Sequence, residues 1–466
     1  MRTNRLLGAI VFAIAGGLIA FSCSTLKMET KSQVKETAQK EVTGMAKKAV
    51  TPEKPWFYGS PLYEVYVRSF SREGTFAALT ARLDELKAMG LNELWLMPIY
   101  PVGVEGRKGS AGSPYSVRDY YDVGSEYGTK EEFKALVDAA HARGMKIILD
   151  VVMNHSANDY PLMSEHPDWW FHDSTGAFSR EVADWSDVTD WNYDNEEARE
   201  YLAGALEFWV REFDIDGYRC DVAGMVPNDF WKPTIHKLRE IKPDLFMLAE
   251  WEDHSIFEAG FDAAYDWTLF HRMRATREGK VGLDSLWKII QASESSLPKG
   301  KEMMHFVENH DEQRSARTFG WPEVKPFSEL IFTLPGIPLI YSGQEIGQTH
   351  KPSLFDPEPI PWDSAAAGVK PFYEGLVKLR NENPGLRYGD LRRVPVDNPE
   401  VLAFTRECGR QHLLVTINFS GEEQTVTLPA IITKRAWSER TGEGAMLADS
   451  SFAIEAFGFK MFNEEK

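Results

Sequence analysis

Eight short runs of apolar, β-branched and aromatic residues, most of them followed by room for a helix, constrain this chain more than any other feature. They lie at Leu62–Phe70, Leu94–Ile99, Lys146–Val152, Gly217–Val222, Leu245–Glu250, Phe261–Trp267, Met304–Val307 and Ile337–Tyr341. Near-continuous apolar runs of this length read as strands buried on both faces, the pattern of a parallel sheet covered by helices. Helical spacing fills several intervals. Phe76, Leu79, Leu83 and Leu86 recur at steps of three or four before Gly90, which predicts one helix closed by a C-terminal glycine. Thr129 and Glu132 form a capping box ahead of Phe133, Leu136, Val137 and Ala140, with Gly144 as the stop. Ala198, Leu202, Ala205 and Trp209 repeat the pattern. The expected fold is α/β, a (β/α)8 barrel whose functional residues gather at the C-terminal strand ends. Periodicity alone leaves a doubly wound open sheet as the alternative.

The stretch from His155 to Asp194 is too long for a plain loop and reads as a small inserted subdomain. Its Tyr160, Trp169, Trp170, Phe171, Trp185 and Trp191 admit two readings, a mini-core or a wall that faces a sugar. Alternation in Val401–Cys408, His412–Phe419 and Gln424–Leu428, with a Ser420-Gly421 turn, predicts a separate antiparallel β-sandwich with a structural role. The chain then divides into a leader over 1–23, a tether over 24–55, a barrel over 56–385 with its insert at 155–194, and a β domain over 386–466.

Arg2 and Arg5 precede an apolar run from Leu6 to Phe21 and then Ser22-Cys23, which resembles a bacterial lipoprotein signal cleaved before Cys23, with lipid on its thiol. That run is short for a membrane span. The segment after it is rich in Lys, Glu, Thr, Gln and Ala and has no aromatic residue, as suits a solvated tether. The expectation is an extracytoplasmic, membrane-anchored lipoprotein, periplasmic or at the cell surface, acting as a monomer. Cys23, Cys220 and Cys408 are too few for a disulfide-built fold. With 43% apolar and 26% charged residues, neither wholesale disorder nor a multi-span membrane protein is tenable. A net charge of −18 argues against a nucleic-acid partner, because phosphate binding needs a basic face.

Three of the predicted strands deliver acids to their ends. In Gly217-Tyr218-Arg219-Cys220-Asp221, Arg219 and Asp221 share one strand face while Cys220 faces the other way, as a small buried hydrophobe would. Leu245–Glu250 and Phe306–Asp311 finish the same way, in Glu250 and Asp311. Any one such carboxylate is most simply a cap or a solvated strand end. Three on one barrel converge on one mouth, which three independent caps would not explain.

Asp150-Val151-Val152-Met153-Asn154-His155, Gly217–Asp221, Leu248-Ala249-Glu250-Trp251 and Val307-Glu308-Asn309-His310-Asp311 resemble the four ordered signature regions of the α-amylase superfamily, glycoside hydrolase family 13. Asp187–Asn192 and Gly336–Glu345 resemble two further family segments. The resemblance implies Asp221 as nucleophile, Glu250 as general acid/base and Asp311 as the carboxylate that steadies the distorted sugar. It implies His155 and His310 as ligands of sugar hydroxyls, Tyr115 as a stacking platform, and Arg219 beside the nucleophile, favouring its ionised form. Asp150 then orients Arg219.

Where many amylases carry Lys-His after the nucleophile, this chain has Gly224 and Met225, so a polar contact on the leaving-group side is missing. The family's structural calcium commonly uses the residues matching Asn154 and Asp190, so a calcium site stays open there, while no organic cofactor is required. The implied activity is retaining hydrolysis of α-1,4 links in starch or maltooligosaccharides. An α-glucosidase, transglycosylase or sucrose/trehalose-type enzyme is the nearest alternative, and a non-catalytic glucan-binding lipoprotein the alternative from another class.

Overall fold

A computed structural model describes residues 54–465 apart from 443–445 and 448. The expected leader and its Cys23 lie outside the described residues. Strands β1 (Leu62–Val65), β2 (Glu93–Leu96) and β3 (Lys146–Val151) are followed by a short pair, β4 (His155–Ala157) and β5 (Val188–Asp190). Then come β6 (Gly217–Cys220), β7 (Phe246–Ala249), β8 (Ala263–Tyr265), β9 (Glu302–His305) and β10 (Ile337–Tyr341). Eight of these close a barrel in the order β1-β10-β9-β8-β7-β6-β3-β2, every neighbouring pair parallel. Closure removes the open-sheet alternative.

Residue parity along each strand builds two cores. Leu62, Trp95, Ile148, Leu248, Tyr265, Met304 and Leu339 pack inside the barrel. Their neighbours Tyr63, Leu94, Ile147, Leu149, Met247 and Ile340 pack outward, in the larger cluster shared with the helices. Cys220 belongs to that outer layer and is fully buried, and burial drives its thiol well above the ordinary range. Arg219, one residue earlier, therefore points inward.

The helix Lys130–Ala142 starts with the full capping box of Thr129 and Glu132. The predicted helix before Gly90 is two shorter ones, Phe76–Thr80 and Leu83–Ala88. At the break Arg82 lies over the rings of Phe70 and Trp362 and pairs with Glu85. The first apolar run is strand only to Val65; Val67–Phe70 is a helical turn, because the ladder with β2 ends at the Val65–Leu96 pair.

In the insert, β4 and β5 pair antiparallel, placing His155 opposite Asp190. Tyr160, Trp169, Trp170 and Trp191 are buried together, with Trp170 and Trp191 stacked at 4.4 Å. Phe171 is exposed and Trp185 half-buried at the cavity described below. The two readings of these aromatics thus divide between residues.

The C-terminal strands are β11 (Asp390–Arg393), β12 (Val401–Cys408), β13 (Gln411–Asn418), β14 (Gln424–Thr427), β15 (Ala436–Glu439), β16 (Ser451–Ile454) and β17 (Phe459–Glu465). They form a five-stranded antiparallel sheet, β11-β12-β13-β17-β15, and the pair β14-β16. Leu413, Val415 and Ile417 join the barrel's outer core, while Leu414, Val426, Trp437 and Ile454 make a separate one. Buried Arg406 ties the sheet to the barrel by donating to the carbonyls of Thr333 and Gly389.

Candidate active site

Asp150, Asp221 and Glu250 meet on the guanidinium of Arg219. Arg219 is fully buried. Its Nη1 donates to Asp150 Oδ1 at 2.9 Å and to Asp221 Oδ1 at 3.0 Å, and its Nε donates to the Tyr265 hydroxyl at 3.1 Å. Its Nη2 lies 2.8 Å from Glu250 Oε2, an ion pair too oblique for a hydrogen bond. The rings of Trp95, Tyr115 and Tyr265 surround the cation at 5.2, 5.7 and 5.6 Å.

Three buried carboxylates around one buried cation set the protonation states. Burial pushes Asp221 up to about 6, against the pull of Arg219. Burial pushes Glu250 further, up to about 7, again against Arg219 and with repulsion from Asp221 added. Arg219 does favour the ionised form of Asp221, but burial is the larger effect. The ranking is what a nucleophile and an acid need at neutral pH: the first ionised, the second still holding a proton part of the time.

His310 is buried between acids. Its Nδ1 meets Glu64 Oε1, and its Nε2 lies 2.8 Å from the Tyr115 hydroxyl and 3.3 Å from Asp311 Oδ2. Burial disfavours the imidazolium, yet Asp311 and Glu64 outweigh it and raise His310 to about 9. Burial likewise opposes ionisation of Asp311, but the charges of His310 and Arg219 prevail and hold its carboxyl below the usual range. Tyr115 stacks on the His310 ring at 5.5 Å and donates its hydroxyl to Asp150 at 3.1 Å. His155 lies 5.2 Å from the Trp185 ring, and burial lowers it to about 4, leaving it neutral. A cavity of about 410 Å³ joins Tyr115, His155, Asp221, Glu250, His310 and Asp311.

Val222 follows Asp221 with φ +36° and ψ 46°, a left-handed backbone that a β-branched residue rarely adopts. The turn aims its N–H at Glu250 Oε2, 2.8 Å away, so local strain links the two acids. The departure at Gly224 also has a structural reason. A Cβ there would fall 2.0 Å from the Trp251 ring, so the indole beside Glu250 occupies the space a longer side chain would need.

Asn154 and Asp190 sit behind His155, outside the cavity. Asn154 Nδ2 lies 3.3 Å from both Asp190 Oδ1 and His155 Nδ1, and Asp190 Oδ2 accepts the Glu181 N–H at 2.7 Å. Both carboxylate oxygens therefore face N–H donors, whereas calcium needs about six to eight oxygen ligands. Among the described residues no three His, Cys, Asp or Glu side chains gather to hold a metal. As placed, the Asn154 amide and the Asp190 carboxylate are engaged with each other, with His155 and with the Glu181 N–H.

Sequence reasoning missed Glu64, Trp95 and Tyr265, which support Arg219 and His310. The parity of β1 and β2 carried a signal for the first two: Glu64 shares a face with Leu62, and Trp95 is flanked by outward leucines. Lys108, Leu354 and Phe355 also line the cavity from loops, where no periodic signal exists.

The pH profile follows from this ranking. Activity is expected to fall below about pH 6 as Asp221 gains a proton, and above about pH 7 as Glu250 loses its own. The two limbs report the coupled pair. A flat rate from pH 5 to 9 would contradict the assignment of these two groups.

Comparison with known proteins agrees with this geometry. Residues 35–168 and 163–370 match the family described as alpha amylase, catalytic domain, and residues 391–460 match the maltogenic amylase C-terminal domain. Alpha-amylase MalA of Haloarcula japonica is 32% identical over 406 residues, a match that takes in 83% of this chain but only 59% of that protein. The crystal structure of an alpha-amylase from Lactobacillus plantarum superposes with a TM-score of 0.81 at 33% identity, covering 87% of this chain and 98% of the other. That of a noncanonic maltogenic alpha-amylase, AmyB from Thermotoga neapolitana, does so with a TM-score of 0.80 at 32% identity, over 87% and 98% of the two chains. With the catalytic-domain family matched along most of the barrel, this chain belongs to the α-amylase family, glycoside hydrolase family 13.

Proposed function

We propose that the protein is a retaining α-glycoside hydrolase that cuts α-1,4-glucosidic bonds of starch and maltooligosaccharides. The observation that carries this reading is the pair Asp221 and Glu250 on two arms of one buried guanidinium, with the second acid held at the higher pKa. In the first step the Asp221 carboxylate bonds to the anomeric carbon as the glycosidic C–O bond breaks, and Glu250 gives its proton to the departing oxygen. In the second, Glu250 takes a proton from water, the water oxygen bonds to the anomeric carbon, and Asp221 is released as a carboxylate. Two inversions give net retention.

Asp311, beside the His310 imidazolium, steadies the sugar as positive charge develops on it. His155 and His310 bind its hydroxyls, and Tyr115 stacks beneath it. Arg219 keeps Asp221 ionised and correctly oriented, with Asp150 holding Arg219 in turn. The two structural relatives, named as an alpha-amylase and a maltogenic alpha-amylase, support an α-glucan substrate. The leader sequence supports anchoring of the enzyme outside the cytoplasm through lipid on Cys23.

Incubation of the full chain with maltoheptaose, followed by chromatography and NMR, tests this reading. Shorter maltooligosaccharides born as α-anomers are expected, at a rate a chelator leaves unchanged. β-Anomers appearing first, or no products at all, would refute it.

A further inference from the structure

The segment Gly103–Gly112, after β2, runs across one side of the cavity and is fastened at both ends. Toward the insert, Lys108 Nζ pairs with Asp187 Oδ1 at 2.8 Å and donates to the Asp184 carbonyl at 3.3 Å. Toward the loop after β10, the Ser110 N–H and hydroxyl both reach Asp356 Oδ1 at 2.8 Å, and the Ala111 N–H reaches the Phe355 carbonyl at 2.9 Å. Gly109, at φ +60°, lies so close to this loop that a Cβ would fall 2.6 Å from Phe355 Cβ. Lys108 and Phe355 both line the cavity.

The position of this bar follows from the order of strands. In the closed ring, β7 stands four strands from β1 in either direction, so the two are opposite each other. Glu250 follows β7 and must face the bond being cut and the leaving group beyond it. The bar joins the connections after β2, β3 and β10, the arc centred near β1. It therefore stands across from the acid, on the side that holds the sugar retained by the nucleophile.

We propose that the segment Gly103–Gly112 closes the glycone end of the cleft, so that the enzyme takes α-glucans by their free non-reducing ends and removes short units. The inference rests on the hydrolase reading above and adds to it where along a chain the cut falls. A through-running groove would let a chain pass in both directions and permit internal cuts. Here the ion pair of Lys108 and the bonds of Ser110 place protein where the chain would have to continue.

Two chromogenic maltoheptaosides test this, one with a free non-reducing end and one with that end blocked by an ethylidene group. The unmodified enzyme is expected to cut the free substrate and to cut the blocked one at least about tenfold more slowly, since exclusion by a clash acts on one substrate only. Similar rates on both would overturn the bar. Replacing Lys108→Ala together with Asp356→Ala removes the side-chain fastenings at both ends and is expected to raise the ratio of blocked to free cleavage; an unchanged ratio would overturn the proposal even if the absolute rates fall. Failure to cut either substrate would overturn the hydrolase reading on which it rests.

Discussion

Asp221→Asn is expected to abolish turnover of maltooligosaccharides while leaving the fold in place. The amide keeps an oxygen to accept from Arg219 Nη1, and Arg219 retains both bonds to Asp150, so the guanidinium stays where it is. What is lost is the anion proposed to attack the anomeric carbon. The expected fall in kcat is about 10⁴-fold or more, the scale on which loss of a catalytic side chain acts. No glycosyl-enzyme mass should appear, even with an activated α-maltosyl fluoride. The substitution also removes the carboxylate that helps raise Glu250, so the pKa of Glu250 should fall in the variant. Activity within tenfold of the unmodified enzyme would mean that another group is the nucleophile.

Glu250→Gln should fail differently. Its amide oxygen still accepts the Val222 N–H, which preserves the strained turn after the nucleophile. It has no proton to donate to the leaving oxygen and cannot take one from water. With a sugar leaving group kcat is expected to fall about 10²- to 10⁴-fold, the usual contribution of general acid–base catalysis. Fluoride needs little protonation, so α-maltosyl fluoride should still release a burst of fluoride, and the covalent intermediate should accumulate because water is no longer activated. Equal losses on both substrates would assign Glu250 a role other than proton transfer. The contrast between the variants separates the two acids: the asparagine variant loses both substrates, and the glutamine variant keeps the first step of one.

Much of this site was legible in the chain. The strand runs and their period-2 parity put Arg219 inside the barrel and Cys220 outside it, where they are found. The acids that end the fourth, fifth and seventh barrel strands converge because closed parallel strands bring all their C-terminal ends to one rim. These properties are local. A few residues of periodic pattern specify a strand and its faces, and the barrel supplies the meeting point.

Other features had no local signature. The helix predicted before Gly90 is divided where Arg82 finds two rings, one of them Trp362, far along the chain. The insert's aromatics divide into a buried core and a cavity wall only once β4 pairs with β5. Asp190, one of the residues the resemblance links to calcium, faces the Asn154 amide and the Glu181 N–H, a contact between β5 and the rest of the insert that no pattern along the chain announces.

The sequence by itself thus determined the strands, their facing, and which carboxylates stand at strand ends, because those follow from short-range periodicity, while closure of the sheet into a barrel brings those ends to one mouth. Only the tertiary structure decided how those groups are charged and how far the cleft extends. The partner that holds His310 is Glu64, and the anchor of Ser110 is Asp356; each pair is separated by 246 residues. Burial and charge at a site depend on neighbours that distant, and loops that meet across a barrel mouth do so without any repeating pattern that a reading along the chain can follow.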